Sequence, residues 1–316
     1  MKFSKAIAYP GLPMIFAEGY FIVEGRRFSS HSSVGAALTT VREGMRTETT
    51  VAPYEFDPLF KVDGIPLEDS RGAGMLHIIE EFMMRAKNFE GVLIDSKNLK
   101  ILTGSSDSGC AALVTALNEF YKLNLSREEL LSLGLYGSET FFRSLIGGLS
   151  EYRVRGEEVS VQVLATAKEL SDVVVFSVSF PGSRFSADEI HGAVVDHHGY
   201  GLRRKVVNAR ILGVRTCVGE GDLYGVFELM EEDARTVHKM FEDVGRKVIS
   251  SRMKSLCAQV ESWRKEGLKA YWNVAGGRQV YVFCLKEDAK TVKSKLSAKK
   301  YSFKKLKIAG PPQIVS

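Results

Sequence analysis

The sequence predicts an α+β sandwich, and three observations carry that reading. Strand-like and helical patterns interleave along all 316 residues. A Gly/Ser loop at 101–112 runs straight into an amphipathic helix. Residues 173–180 form an apolar run interrupted only by Ser177 and Ser179, the mark of a strand buried on both faces. With 45% hydrophobic residues the chain can build one large core or two ordinary ones.

Composition narrows the partners. The formal charge is +5, yet Lys and Arg are spread along the chain apart from Lys299-Lys300 and Lys304-Lys305. Small anionic molecules are therefore expected rather than nucleic acid. The four cysteines, Cys110, Cys217, Cys257 and Cys284, are far apart and match no metal spacing, so reduced thiols and no metal site are expected. No segment reaches the roughly 18 apolar residues of a membrane span, and the first residues read as a strand. A cytoplasmic protein without a membrane partner is expected.

Residues 3–51 are rich in Ile, Val, Phe, Tyr and Thr and punctuated by Pro and Gly, which is strand and turn chemistry. Arg26, Arg27 and His31 fall between two of these strands, as a solvated turn or as one wall of an anion site. A helix is predicted over 74–87, with Met75, Ile78, Ile79, Phe82 and Ala86 on one face. After the loop, Cys110, Leu113, Val114, Leu117 and Tyr121 form the buried stripe of the central helix. Its first turn is Ser105, Ser106, Asp107, Ser108 and Gly109. Free N–H groups there, the positive end of the helix dipole and Gly104 together make a phosphate-sized anion site. The alternative is a Ser/Asp-capped helix with no ligand. No Gly-Lys-Ser/Thr follows, so this is not a Walker loop.

Ser126 and Glu129 form a capping box for a short helix. A second helix is predicted over 138–145, ending at Gly147-Gly148, with Glu139 and Arg143 one turn apart as a surface ion pair or as site residues. A hairpin over 151–164 leads to a boundary near 165–171, giving expected domains 1–168 and 169–316. Beyond the buried strand come Pro181-Gly182-Ser183-Arg184 and a helix from Ala187 past His191. Helical stripes follow at Leu223, Val226, Phe227, Met230, Ala234, Val237 and Phe241, and at Ile249, Met253, Leu256, Cys257, Val260 and Trp263. Strands over 269–274, 280–285 and 303–308 and a helix from Glu287 complete the chain. Adjacent His197 and His198 point different ways on any regular element, so they read as solvated rather than metal-binding.

The loop, with its surroundings, resembles the GHMP kinase superfamily, in its diphosphomevalonate decarboxylase branch. Residues 98–109 look like that family's Asn, phosphate-loop and Ser-Ser-x-x-Gly run. The Arg-Ser-Leu-Ile-Gly-Gly run from Arg143 looks like its Arg-Ser-Leu-(Tyr/Phe)-Gly-Gly, whose arginine holds the substrate carboxylate. Residues 223–238 resemble its helix with an acidic residue, Asp and a later His, and Gly276-Gly277 fits its late turn. The resemblance implies an N-terminal domain like ribosomal protein S5 domain 2, a ferredoxin-like C-terminal domain and an active site in the cleft between them.

Departures from the family pattern shape the expected reaction. ATP-dependent decarboxylases carry a lysine where this chain has Phe16, and an aspartate where it has Ala275. A methyl group cannot orient or deprotonate a hydroxyl. Ser138-Glu139 and Arg184 resemble variants of a modified archaeal mevalonate pathway. The resemblance then implies ATP-independent decarboxylation of mevalonate 3,5-bisphosphate to isopentenyl phosphate, with no cofactor. Arg143 would hold the carboxylate, while the helix start and Arg184 would draw off the 3-phosphate. Arg27, His31 and Glu139 would complete the substrate site, and Asp107 would either cap the helix or act in catalysis. The alternatives are mevalonate 3-kinase, using ATP and Mg2+, a diphosphomevalonate or phosphomevalonate decarboxylase, and a homologue that binds without catalysis. A homodimer is expected.

Overall fold

Two sheets carry the fold in the computed structural model, which describes residues 3–42, 44–68, 70–101, 103–182 and 185–315. The first half contains β1 (Ser4–Ala8), β2 (Gly11–Ile15), β3 (Tyr20–Val23), β4 (Arg26–Ser29), β5 (Ser33–Thr40), β6 (Arg46–Pro53), β7 (Leu59–Val62) and β8 (Ile65–Pro66). It continues with α1 (Ser70–Ala86), β9 (Val92–Leu99), α2 (Ser105–Tyr121), α3 (Arg127–Gly134), α4 (Phe142–Ile146), β10 (Leu149–Arg155) and β11 (Glu158–Ala165). The second half contains β12 (Val173–Ser179), α5 (Ala187–Val194), α6 (Tyr200–Glu220), α7 (Leu223–Asp243), α8 (Ser251–Lys265) and β13 (Tyr271–Asn273). Then come β14 (Gln279–Leu285), α9 (Lys286–Ala298), β15 (Phe303–Ile308) and β16 (Gln313–Ile314).

One sheet runs β16-β1-β6-β9-β7-β8 and backs the central helix. Burial alternates along β1, as a strand with one covered face requires. Ala111, Leu113, Val114 and Leu117 of α2 are completely buried, and Ser4 on β1 donates to the Ala116 carbonyl. The predicted helix thus forms the core of the first half. The other sheet runs β11-β10-β5-β15-β12-β14-β13, with β2 added on β5. Every residue of β5 is buried, and so is nearly all of β12. β15 lies between them, pairing Leu306 with Thr40 on one side and with Val175 on the other. This sheet is therefore continuous across the boundary expected at 168.

Three elements differ from expectation. α1 starts at Ser70, four residues before the predicted 74. The helix predicted over 138–145 forms only at Phe142–Ile146. Ser138 and Thr140 direct their hydroxyls to Asp107, and Ser138 also accepts the Thr140 amide, so local side-chain bonds replace the first helical turn. The 21-residue α6 carries no strong apolar stripe, because two residues on its covered face, Arg203 and Arg210, are buried arginines. Among the described residues no helix is long and apolar enough to cross a membrane.

Candidate active site

A cavity opens where the start of α2 meets β2, α4, α5 and the 275–276 turn. Gly104 caps α2 in the left-handed region, with φ 71°. A Cβ at this position would lie 2.8 Å from the Gly11 amide nitrogen and collide with its carbonyl, so backbone approaches backbone only because both residues are glycine. Gly104 and Ser106 line the cavity, and the helix start presents N–H groups without intrahelical partners. Ser105 and Gly109 do not line it. Ser108 turns away altogether, its hydroxyl 2.7 Å from that of Thr47 on β6. The anion site of the predicted loop is thus narrowed to Gly104 and Ser106.

Asp107 does not cap the helix, since Gly104 receives no side-chain cap bond there. Its carboxylate accepts from Thr140 at 2.7 Å and Ser138 at 3.1 Å, and its other oxygen lies 3.5 Å from Nη1 of Arg143. Asp107 therefore holds α4 against α2 and sets the guanidinium of Arg143 at the cavity wall. Gly35 on β5 leaves room for that side chain, because any Cβ there would occupy the space of the Arg143 Cγ, Cδ and Nε. Burial lowers the pKa of Arg143, and the Asp107 and Glu139 carboxylates oppose that shift.

Glu139 and Glu18 also line the cavity. Glu139 accepts from Nε of Arg27 at 2.8 Å, with Arg71 4.0 Å and His191 3.7 Å away. Burial alone would raise its carboxyl, but His191, Arg71 and Arg27 outweigh burial and hold it at about 2. Glu18 is likewise held at about 2, as burial is overcome by Arg203 and His31. Both are ionised, fully engaged and poor proton acceptors at neutral pH. Among the described residues, each carboxylate lining the cavity thus has an arginine partner. His191 is pushed down by burial, despite Glu139.

Two expected ligands are committed elsewhere. Arg27 spends its guanidinium on Glu139 and on Asp188, at 2.5 Å, and does not line the cavity. His31 lies between Glu18 and the Ser32 carbonyl and does not line it either. Both build the wall from behind. In their place stand Arg71, at the start of α1, and His191 on α5, which no motif marked. Among the described residues, three buried nitrogens lack hydrogen-bond partners here: Nη1 of Arg71, Nε of Arg143 and Nδ1 of His191. Buried polar atoms are seldom left unpaired, so the cavity is built to receive acceptor atoms. Arg184 lies outside the described residues.

Phe16 and Ala275 line this same cavity, facing Gly104, Ser106 and Arg143. The Phe16 amide donates to Asp233 at 2.9 Å, which fixes the end of β2 against α7.

Comparison with known proteins matches residues 26–162 to the diphosphomevalonate decarboxylase-like N-terminal domain and residues 185–290 to the mevalonate-3-kinase C-terminal domain. The solved mevalonate-3-kinase of Thermoplasma acidophilum, with mevalonate 3-phosphate and ADP bound, superposes at a TM-score of 0.90 and 25% identity, covering 100% of this chain and 99% of that one. The chain belongs to the mevalonate 3-kinase and diphosphomevalonate decarboxylase branch of the GHMP kinase superfamily. Within this branch it is 28% identical to the mevalonate-3-kinase of Picrophilus torridus, over 99% of this chain and 97% of that protein. It is 23% identical to the phosphomevalonate decarboxylase of Haloferax volcanii, over 84% of each. The GHMP architecture explains why a loop, a short α4 and a late turn so distant in sequence share one wall.

Proposed function

We propose that the chain is a mevalonate 3,5-bisphosphate decarboxylase that works without ATP. The observation carrying this reading is that Phe16 and Ala275 line the cavity holding Gly104, Ser106 and Arg143. Where the ATP-dependent decarboxylases bring a lysine and an aspartate to phosphorylate a tertiary hydroxyl, this cavity offers a phenyl ring and a methyl group. The reaction we assign to it is elimination. The C3–O bond breaks and its electron pair departs with phosphate, the C1–C2 pair becomes the C2=C3 double bond, and C1 leaves as CO2.

Each role has a residue. The N–H groups at the start of α2 face the negative charge that grows on the leaving phosphate. Arg143 orients the carboxylate, and its unpaired Nε supplies a donor. Arg71 and His191, rather than Arg27 and His31, offer donors to the 5-phosphate. Phe16, Ile190 and Phe241 form an apolar wall beside which a carboxylate is less stable than neutral CO2.

A second reading, mevalonate 3-kinase, is favoured by the full-length likeness to the Picrophilus enzyme and by the fit to the Thermoplasma one. The named relatives weigh toward phosphoryl transfer and the cavity chemistry toward elimination. A product assay separates them: mevalonate, its 3-phosphate and its 3,5-bisphosphate, each with and without ATP and Mg2+. We expect CO2 and isopentenyl phosphate from the bisphosphate alone. ATP-dependent phosphorylation of mevalonate, with the bisphosphate left untouched, would establish the kinase instead.

A further inference from the structure

A second cavity, of about 270 Å³ against about 130 Å³ for the first, lies on the other side of α7. Its floor is apolar, with buried Cys257 of α8 and Trp272 of β13 beside Ile249. Its rim is cationic. Lys247 and Lys254 share one carboxylate, Glu242, at 3.8 and 2.8 Å, so that end carries one positive charge in excess.

His238 stands between the two cavities. Its Nε2 lies 2.7 Å from the Val274 carbonyl, so Nε2 carries the ring proton and Nδ1 presents a lone pair. Nδ1 is buried and has no partner among the described residues. The ring itself is 6% exposed and lines the second cavity. Its other contacts reach the first cavity: Phe16 edge-on at 5.7 Å and Phe241 at 5.5 Å, both in that cavity's wall. The carbonyl it binds belongs to the residue just before Ala275.

We propose that the second cavity is a regulatory site for a small amphipathic anion, an apolar body bearing one hydroxyl or N–H donor and one negative group. The donor bonds Nδ1 of His238, the body lies against Trp272 and Cys257, and the charge meets Lys247 and Lys254. Occupancy fixes the His238 ring and with it Phe16, so affinity at the two cavities is linked, and linkage is reciprocal. This holds whether the first cavity performs elimination or phosphoryl transfer.

4-Hydroxyphenylacetate, titrated by calorimetry into the full chain, tests the proposal, with 4-methylphenol and inorganic phosphate as partial probes. We expect saturable binding of 4-hydroxyphenylacetate, weaker binding of 4-methylphenol and none of phosphate at this site. Ala258→Phe fills the mouth from an exposed position on α8 and leaves the first cavity untouched. It should weaken the probe roughly tenfold or more, and His238→Phe should do the same by deleting the acceptor. Saturating probe should shift the KM of whichever reaction the product assay finds, in the wild type but not in Ala258→Phe. Undiminished binding to Ala258→Phe, no binding at about 10 mM, or binding that leaves KM unchanged would each overturn the assignment.

Discussion

Arg143 is the residue on which the chemistry turns. It is buried, aligned by Asp107 and given room by Gly35, it lines the cavity, and its Nε has no partner among the described residues. Lysine at this position keeps the charge but loses the planar fork that meets a carboxylate with two parallel bonds. Arg143→Lys should therefore lower kcat/KM by about a hundredfold or more, while circular dichroism and thermal unfolding stay close to wild type. Activity within about twofold of wild type would reduce Arg143 to a partner of Asp107. The motif around Arg143 was readable in the sequence, as was the loop at Gly104. Arg71 and His191 were not, because an arginine in the first turn of one helix and a histidine on another announce themselves only when the fold brings them together. Arg27 and His31 had the right chemistry, but Glu139, Asp188 and Glu18 had already claimed it.

At the scale of the element, β5 is both a central strand and the support behind Arg143. Gly35 pairs with Ser150 and Pro13 in the sheet while its missing side chain admits Arg143. Gly35→Ala should leave the sheet assembled but push Arg143 off its seat. We expect a loss of roughly tenfold or more in kcat/KM, larger than the loss in stability would account for, measured beside urea unfolding of the same variant. Most elements were legible from periodicity. The capping box of α3 forms as read, and β15 spans the predicted 303–308. α6 was not legible, since a covered face that includes Arg203 and Arg210 looks solvated until Asp233 on α7 is seen to bind both. The first turn expected at 138–141 was lost to side-chain bonds with Asp107, a competition that helical spacing cannot reveal.

At the scale of the molecule, buried charge sets the response to acid. His238 is held at about 4 by burial, against an ordinary 6.5, so between these values the unfolded chain binds a proton that the folded chain refuses. Stability must fall as pH drops from 6.5 to 4, by up to about 3 kcal/mol. Glu18 and Glu139, at about 2 against an ordinary 4.5, add stability that is complete above 4.5 and fades as pH falls toward 2. Urea unfolding at a series of pH values should thus show two successive declines. His238→Phe should shrink the upper one and leave the part that the buried His191 contributes, and a wild-type stability unchanged between pH 6.5 and 4.5 would contradict the assignment.

The position of β15 also bears on synthesis. The strand that joins β5 to β12 is formed by residues 303–308, and β16, which covers β1, follows it. While a ribosome is still extending the chain, residues 33–37 of β5 have β10 on one edge and β2 on the other, but Leu38, Thr39 and Thr40 lack the partner that β15 later brings. That length of β5 stays unpaired until residues 303–308 clear the exit tunnel. Pairing across so long a span of sequence is slow, because loop closure precedes any gain from contact. The nascent protein therefore leaves the end of β5 without its neighbour until β15 is made, the interval in which chaperone binding or aggregation competes with closure of the sheet.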